Sequence, residues 1–325
     1  METSPVVPGD VPRFGVFDVL GDAVGSIRRR FGTFVAFNVV FLIALFFSFC
    51  LVGCLLATVM GGATAAFGGR PGGEGATTTF GAIVVVYGLL IVFVLAALAF
   101  HQAFAIETGA DDLRGGAPTF ATGLSRAANR VLAHFGANVV RVFLDSLLFC
   151  LTAGVVAAIL RGTGFEPDPN DPSRGVGTAV ERYGFVIAGG YLAQLVWVCG
   201  VRSFLGMTGP VLQVEGLGVF DAMRRSARLL AGRRLQFIGL RLIWGFAAVA
   251  AMILGYLPIV GLVFGTAASG EPPNPAYMFL LIPFALLFYG LMLMLYTFDS
   301  VIEAAFHARL APRNVPGEHV AQVFR

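Results

Sequence analysis

Residues 217–234 read LGVFDAMRRSARLLAGRR, and a long apolar run follows from Leu235. On a helix, steps of three and four residues return to one side, so Phe220, Met223, Ala227 and Leu230 share a face. Arg224, Arg225 and Arg228 share another. A basic amphipathic helix that leads directly into a hydrophobic segment predicts an element lying in a membrane interface, with its apolar face among acyl chains and its guanidinium groups at the level of the phosphates. The same order occurs near the N-terminus. Gly15-Val16-Phe17-Asp18 matches Gly218-Val219-Phe220-Asp221, and Phe17, Leu20, Val24 and Ile27 take the corresponding phases ahead of Arg28, Arg29 and Arg30. A weaker copy stands between them, with Phe120, Leu124, Ala127 and Val131 on one side and Arg126 and Arg130 on the other. The expected organisation is a single membrane domain over residues 1–325, built from repeats at about 13–107, 117–211 and 217–308, with a cytoplasmic tail at 309–325.

Composition sets the class. A soluble domain carries about 25% charged residues; here 13% are charged, 57% are hydrophobic and the mean hydropathy is +0.82. These values exclude a soluble globule. A bilayer-spanning helix needs roughly 20 apolar residues, and the runs 34–60, 80–106, 135–160, 185–211, 237–265 and 277–306 all meet that length. The expected fold is therefore all-α: a polytopic membrane protein of six transmembrane helices in three pseudo-repeats, each an amphipathic interfacial helix followed by a helical hairpin. Little chain is left over for a soluble catalytic domain.

All 22 basic residues are arginine, and the formal charge of +3 is too small to imply nucleic acid. Their placement is more informative than their sum. The N-terminal segment, the connections after the second and fourth runs and the C-terminal tail hold most of them, whereas the opposite connections hold only Arg70, Arg161, Arg174 and Arg182. Arginine-rich short connections stay on the cytoplasmic side. The expected location is the inner, cytoplasmic membrane, with both termini inside.

Motifs for chemistry are scarce. His-Glu-x-x-His, Gly-x-Ser-x-Gly and Cys-x-x-Cys do not occur, and without lysine there is neither a Schiff base nor a phosphate-loop lysine. Cys50, Cys54, Cys150 and Cys199 lie inside apolar runs, where cysteine packs as a small buried hydrophobe. Glu166, Asp168, Asn170 and Asp171 are interrupted by prolines that break calcium-loop spacing. No metal, no cofactor and no enzymatic activity is expected. The most reactive stripe is Asp299, Glu303 and His307 on the last helix, readable as a proton path or as hydrogen-bonded pairs, with Glu303 and His307 at i, i+4.

Aligning the repeats brings Asn38, Arg141 and Arg241 to one depth, each about one turn into its helix. His101-Gln102, Val201-Arg202 and the Ser300 to Glu303 stretch fall at similar places near the ends of the even-numbered runs. Ionisable groups at membrane depth are costly and need a partner or a wet cavity. Two readings stand. Arg141, Arg202 and Arg241 offer forked donors to a lipid phosphate or another anion. Alternatively they snorkel, or pair with Asp145, Asp299 and Glu303 to fix helix packing, and Arg141 with Asp145 has the i, i+4 spacing for a direct pair.

Glu215-Gly216, Ala222, Ser226, Leu229 and Gly232, with Phe17-Asp18, Arg29-Arg30-Phe31-Gly32 and the later Tyr296 and Asp299, resemble the membrane domain found in some glycerophosphodiester phosphodiesterases. The pattern is also similar to stand-alone six-helix membrane proteins of bacteria and archaea. The resemblance implies a helical membrane module without catalytic residues, because the phosphodiesterase chemistry belongs to a separate soluble domain. The expected function is accordingly a non-enzymatic module that engages anionic lipid headgroups or a partner membrane protein through a basic cytoplasmic belt containing Arg224, Arg225 and Arg228. The alternative is a transporter or flippase-like carrier of an anionic or lipid substrate, with Arg141, Arg202 and Arg241 along its path.

Overall fold

The computed structural model describes residues 14–66, 74–162, 172–268 and 275–311. The proline-containing lead, the glycine-rich connection after the first run, the acidic connection after the third and most of the tail lie outside these residues. A short helix α1 (Val16–Arg29) leads into α2 (Phe31–Ala66), followed by α3 (Glu74–Leu113), α4 (Phe120–Gly162) and α5 (Pro172–Leu205). The one-turn α6 (Thr208–Pro210) runs into a π-helical turn at Val211–Glu215. Then come α7 (Val219–Leu229), α8 (Arg234–Ala268) and α9 (Pro275–Leu310). Among the described residues, six helices are long and apolar enough to cross a membrane, with spans at Phe31–Cys54, Tyr87–Leu113, Phe120–Val155, Ala188–Glu215, Arg234–Leu257 and Pro283–Leu310. The protein is a multi-pass helical membrane protein.

Local chemistry explains the breaks. The Gly15 N–H donates to Asp18 Oδ2 at 2.6 Å, and Arg28 and Arg29 end α1, so both ends of the helix carry charges that oppose its dipole. The fourth span is broken between α5 and α6. At Gly206 a Cβ would stand 2.3 Å from the Phe237 ring, so only glycine lets α8 approach there. Gly216, at φ +73, closes the π-helical turn in the left-handed region that glycine favours.

α2–α3, α4–α5 and α8–α9 form three long hairpins, and α3 lies centrally, packed most extensively on α4 and α9. Burial concentrates at the arginine-bearing end. There the Phe37 and Phe104 rings stack at 3.8 Å, and Phe306 meets Phe14 and Phe237 edge-on at 5.4 and 5.2 Å. Further along, Phe47, Leu51, Phe143, Phe149, Phe246 and Leu254 point outward. Contacts in that half run within hairpins, as in Phe49 with Phe93 and Tyr256 with Phe288. Apolar surface of this kind is what acyl chains solvate. The cysteines join it: Cys50, Cys54 and Cys150 are exposed and Cys199 is half-buried, all as free thiols rather than the buried ones expected.

Two expectations about the short helices change. The unit around Phe120–Val131 is not a separate element, because α4 runs unbroken from Phe120 to Gly162. Neither glycine nor proline lies between Leu124 and His134 to stop it. The expected apolar faces of α1 and α7 are also divided. α1 buries Val19, Ala23 and Ser26, α7 buries Ala222 and Ser226, and Leu230 is buried just beyond. Phe17 is 76% exposed and Phe220 68%. Small side chains allow close backbone approach to the bundle, which leaves the phenylalanines on the outside, beside the arginines.

Candidate functional site

A polar layer crosses the basic end of the bundle, and α9 supplies its acids. Asp299 and Glu303 stand one turn apart, and the Arg241 guanidinium of α8 donates from Nη1 to Asp299 Oδ1 and from Nη2 to Glu303 Oε1. Arg241 and Glu303 are both buried. Glu303 Oε2 also accepts from Gln102 Nε2 of α3 at 3.4 Å. Such a fork satisfies one cation with two charge-assisted bonds. Arg241 is thus neutralised in place and does not snorkel.

One step away, Asn38 joins three helices. His101 Nε2 lies 2.7 Å from Asn38 Oδ1, and Asn38 Nδ2 donates to Thr297 Oγ1 at 3.0 Å. An amide oxygen only accepts, so His101 carries its proton on Nε2. The Thr297 hydroxyl in turn donates to the Leu293 carbonyl at 2.9 Å. Asn38→Leu should cost about 1–3 kcal/mol, because it leaves the buried His101 donor only the Thr297 hydroxyl, at 3.4 Å, as acceptor. Denaturation in detergent measures this, and a loss below about 0.5 kcal/mol, the scale of a surface change, would refute the link.

The other expected pairs are rearranged. Arg141 Nη2 donates to the Leu205 carbonyl at 3.3 Å, while Asp145 Oδ1 is buried without a hydrogen-bond partner among the described residues. The Arg141–Asp145 pair is not formed, because the broken end of α5 offers Arg141 a bare carbonyl instead. Gln194 and Trp197 of α5 donate to the Asp145 and Leu144 carbonyls, tying α4 to α5. Arg202 is half-buried, within electrostatic range of Arg141, Arg241, Asp299 and Glu303. His307 does not pair with Glu303. Its Nε2 lies 3.1 Å from Glu215 Oε1, and Glu215 also holds Arg225 at 3.1 Å. Arg225 is therefore a brace between α7 and the π-helical turn rather than a member of an outward belt.

Further arginines stitch the periphery. Arg29 and Arg30 both bind Asp112 at the end of α3, at 2.8 and 2.7 Å, and the bonded carboxylate raises Arg29 above its ordinary value. Arg309 binds Asp22 of α1 at 2.7 Å. A network that sequence reasoning missed links α3, α4 and the π-helical turn. The Gln213 amide sits between buried His134, at 3.1 Å, and Glu107 Oε2, at 2.9 Å, and Glu107 Oε1 accepts from Arg126. Its only signal in the sequence is the Gly209-Pro210 break just before Gln213.

Arg28, Arg114, Arg224 and Arg228 remain exposed at this end. Arg224 meets only the exposed Asp221 at 3.4 Å, a surface pair of little energetic weight. Among the described residues, no group of three or more His, Cys, Asp and Glu is placed to hold a metal ion. No family model, no curated protein and no solved structure matches this chain.

Proposed function

We propose that this protein is a non-enzymatic membrane module whose basic end gathers anionic lipid headgroups. The observation that carries this reading is the division of α1 and α7 into three faces. Ala23, Ser26, Ala222 and Ser226 face the bundle together with Val19, Leu20, Ile27 and Met223. Phe17 and Phe220 face outward, as does Phe31 at the start of α2, and Arg28, Arg224 and Arg228 stand exposed beside them. A phenylalanine next to an exposed guanidinium suits the boundary between acyl chains and phosphates. On this reading α1 and α7 lie in the cytoplasmic leaflet interface. α1–α2 and α7–α8 are copies of one unit, since burial at Val19, Ala23, Phe34, Phe37 and Asn38 recurs at Ala222, Ser226, Phe237, Leu240 and Arg241. The resemblance to the phosphodiesterase membrane domain fits a module of this kind. The carrier reading is weaker, because Arg241 is already held by two carboxylates.

The test uses the full chain in nanodiscs of equal phosphatidylglycerol and phosphatidylcholine, with native mass spectrometry reading the retained lipids. Each arginine near an anionic surface contributes about 1 kcal/mol, so Arg224→Gln with Arg228→Gln should lower the preference for the anionic lipid by about fivefold or more. Arg225 is left intact because it braces Glu215. An unchanged preference would overturn the proposal.

A further inference from the structure

Where α3 turns into α4, an open surface recess of about 350 Å³ has as its polar lining Glu107, Arg114, Arg126, Asn129, Arg130 and Gln213. We propose that this recess binds a phosphate group, carried either by a free anion or by a lipid headgroup. Arg126 and Arg130 are four residues apart on α4 and therefore share a face. Arg114 comes from the turn before it, which is fixed from behind: the Gly116 N–H donates to the Asp111 carbonyl, and Asp112 is clamped by Arg29 and Arg30.

Charge in the recess is unbalanced. Three guanidinium groups face one carboxylate, and that carboxylate is engaged through both oxygens, Oε1 by Arg126 and Oε2 by Gln213, each at 2.9 Å. Glu107 thus orients Arg126 more than it repels an incoming anion. Asp111 reaches only the same arginine, at 3.6 Å. Arg130 spends one N–H on the neutral Gly216 carbonyl at 3.1 Å and keeps its full charge. Arg114 is exposed, and Asp22, Asp112 and Glu215 are committed elsewhere. Planar forked donors around one space match a tetrahedral oxyanion. Basic recesses beside membrane helices are suited to phosphorylated headgroups in the same way. This inference does not rest on the α7 belt, because neither Arg224 nor Arg228 lines the recess.

Two arms separate the sources. The full chain in phosphatidylcholine nanodiscs is titrated with inorganic phosphate, followed by ³¹P line broadening. The same chain in nanodiscs containing phosphatidic acid is examined by native mass spectrometry. Saturable binding of inorganic phosphate assigns a free anion, and retention of phosphatidic acid alone assigns a lipid. In either case Arg114→Gln weakens binding about tenfold, the scale of one lost charge-assisted hydrogen bond. Arg114 is exposed, so unchanged helix content separates lost binding from lost fold. Arg224→Gln with Arg228→Gln leaves this site untouched. Failure of both probes to bind, or equal binding to Arg114→Gln, overturns the proposal.

Discussion

Glu303→Ala lowers the stability of the purified protein by about 3 kcal/mol, the lower end of the cost of breaking a buried ion pair, because Asp299 still answers part of the Arg241 charge. The argument follows from the geometry around Arg241. Its guanidinium is buried between two α9 carboxylates, and Glu303 is the more enclosed of them, with a side chain 1% exposed against 23% for Asp299. Removing Glu303 also strands the Gln102 amide of α3. Asp299→Ala is milder, because Glu303 still answers the charge and the remaining edge is wetter. The triple variant Arg241→Leu with Asp299→Leu and Glu303→Leu recovers most of the loss, since apolar replacement of a complete buried ion triad is often neutral. Denaturation in detergent reads all three. Equal and small effects from Glu303→Ala and Asp299→Ala would mean that water already compensates Arg241, and the carrier reading would regain its best residue.

That layer was only partly legible in the sequence. Hydropathy alone identifies the spans, because each needs nothing beyond a run of apolar side chains. The depth of Arg241 and the presence of acids opposite it follow from aligning the units. Which acid meets which base does not. Arg141 with Asp145 and Glu303 with His307 have ideal i, i+4 spacing, yet Arg141 takes the Leu205 carbonyl and His307 takes Glu215. Both substitutes come from the broken stretch between α5 and α7. A helix break exposes carbonyls and turns side chains into places that no periodicity predicts. The apolar faces of α1 and α7 held only in part, with Leu20, Ile27, Met223 and Leu230 on the core and Phe17, Val24 and Phe220 outside, for another reason. Spacing by threes and fours groups the large residues, but a helix that must lie close to its neighbours also buries small ones, here Ala23, Ala222 and Ser226. Several residues that carried the family resemblance do this work. Gly216 takes the left-handed turn, and Ala222 and Ser226 form the contact.

Ser226 gives that contact its sharpest test. Its hydroxyl accepts from the Met207 N–H at 3.0 Å and donates to the Phe204 carbonyl at 2.8 Å, so one atom bridges α7 to both sides of the break that follows α5. The residue is fully buried, which keeps water from replacing the bond to Met207, whereas the bond to the Phe204 carbonyl is only part-buried. Ser226→Ala strands a donor and an acceptor together, and the expected loss is about 1–3 kcal/mol for the buried Met207 N–H, with a smaller addition from the part-buried Phe204 carbonyl. Arg228→Ala, on the exposed face of the same helix, should change stability by no more than about 0.5 kcal/mol. Hydrogen exchange makes the outcome local: amides of α7 should exchange faster in Ser226→Ala, while those of α9 keep their protection. The lipid preference should fall as well, although every arginine is retained, because a belt held on a loosened helix no longer presents its charges at one depth. If Ser226→Ala exchanges as the parent does, the bridge contributes nothing, and α7 is held at the bundle by Ala222, Leu230 and the Arg225–Glu215 pair alone.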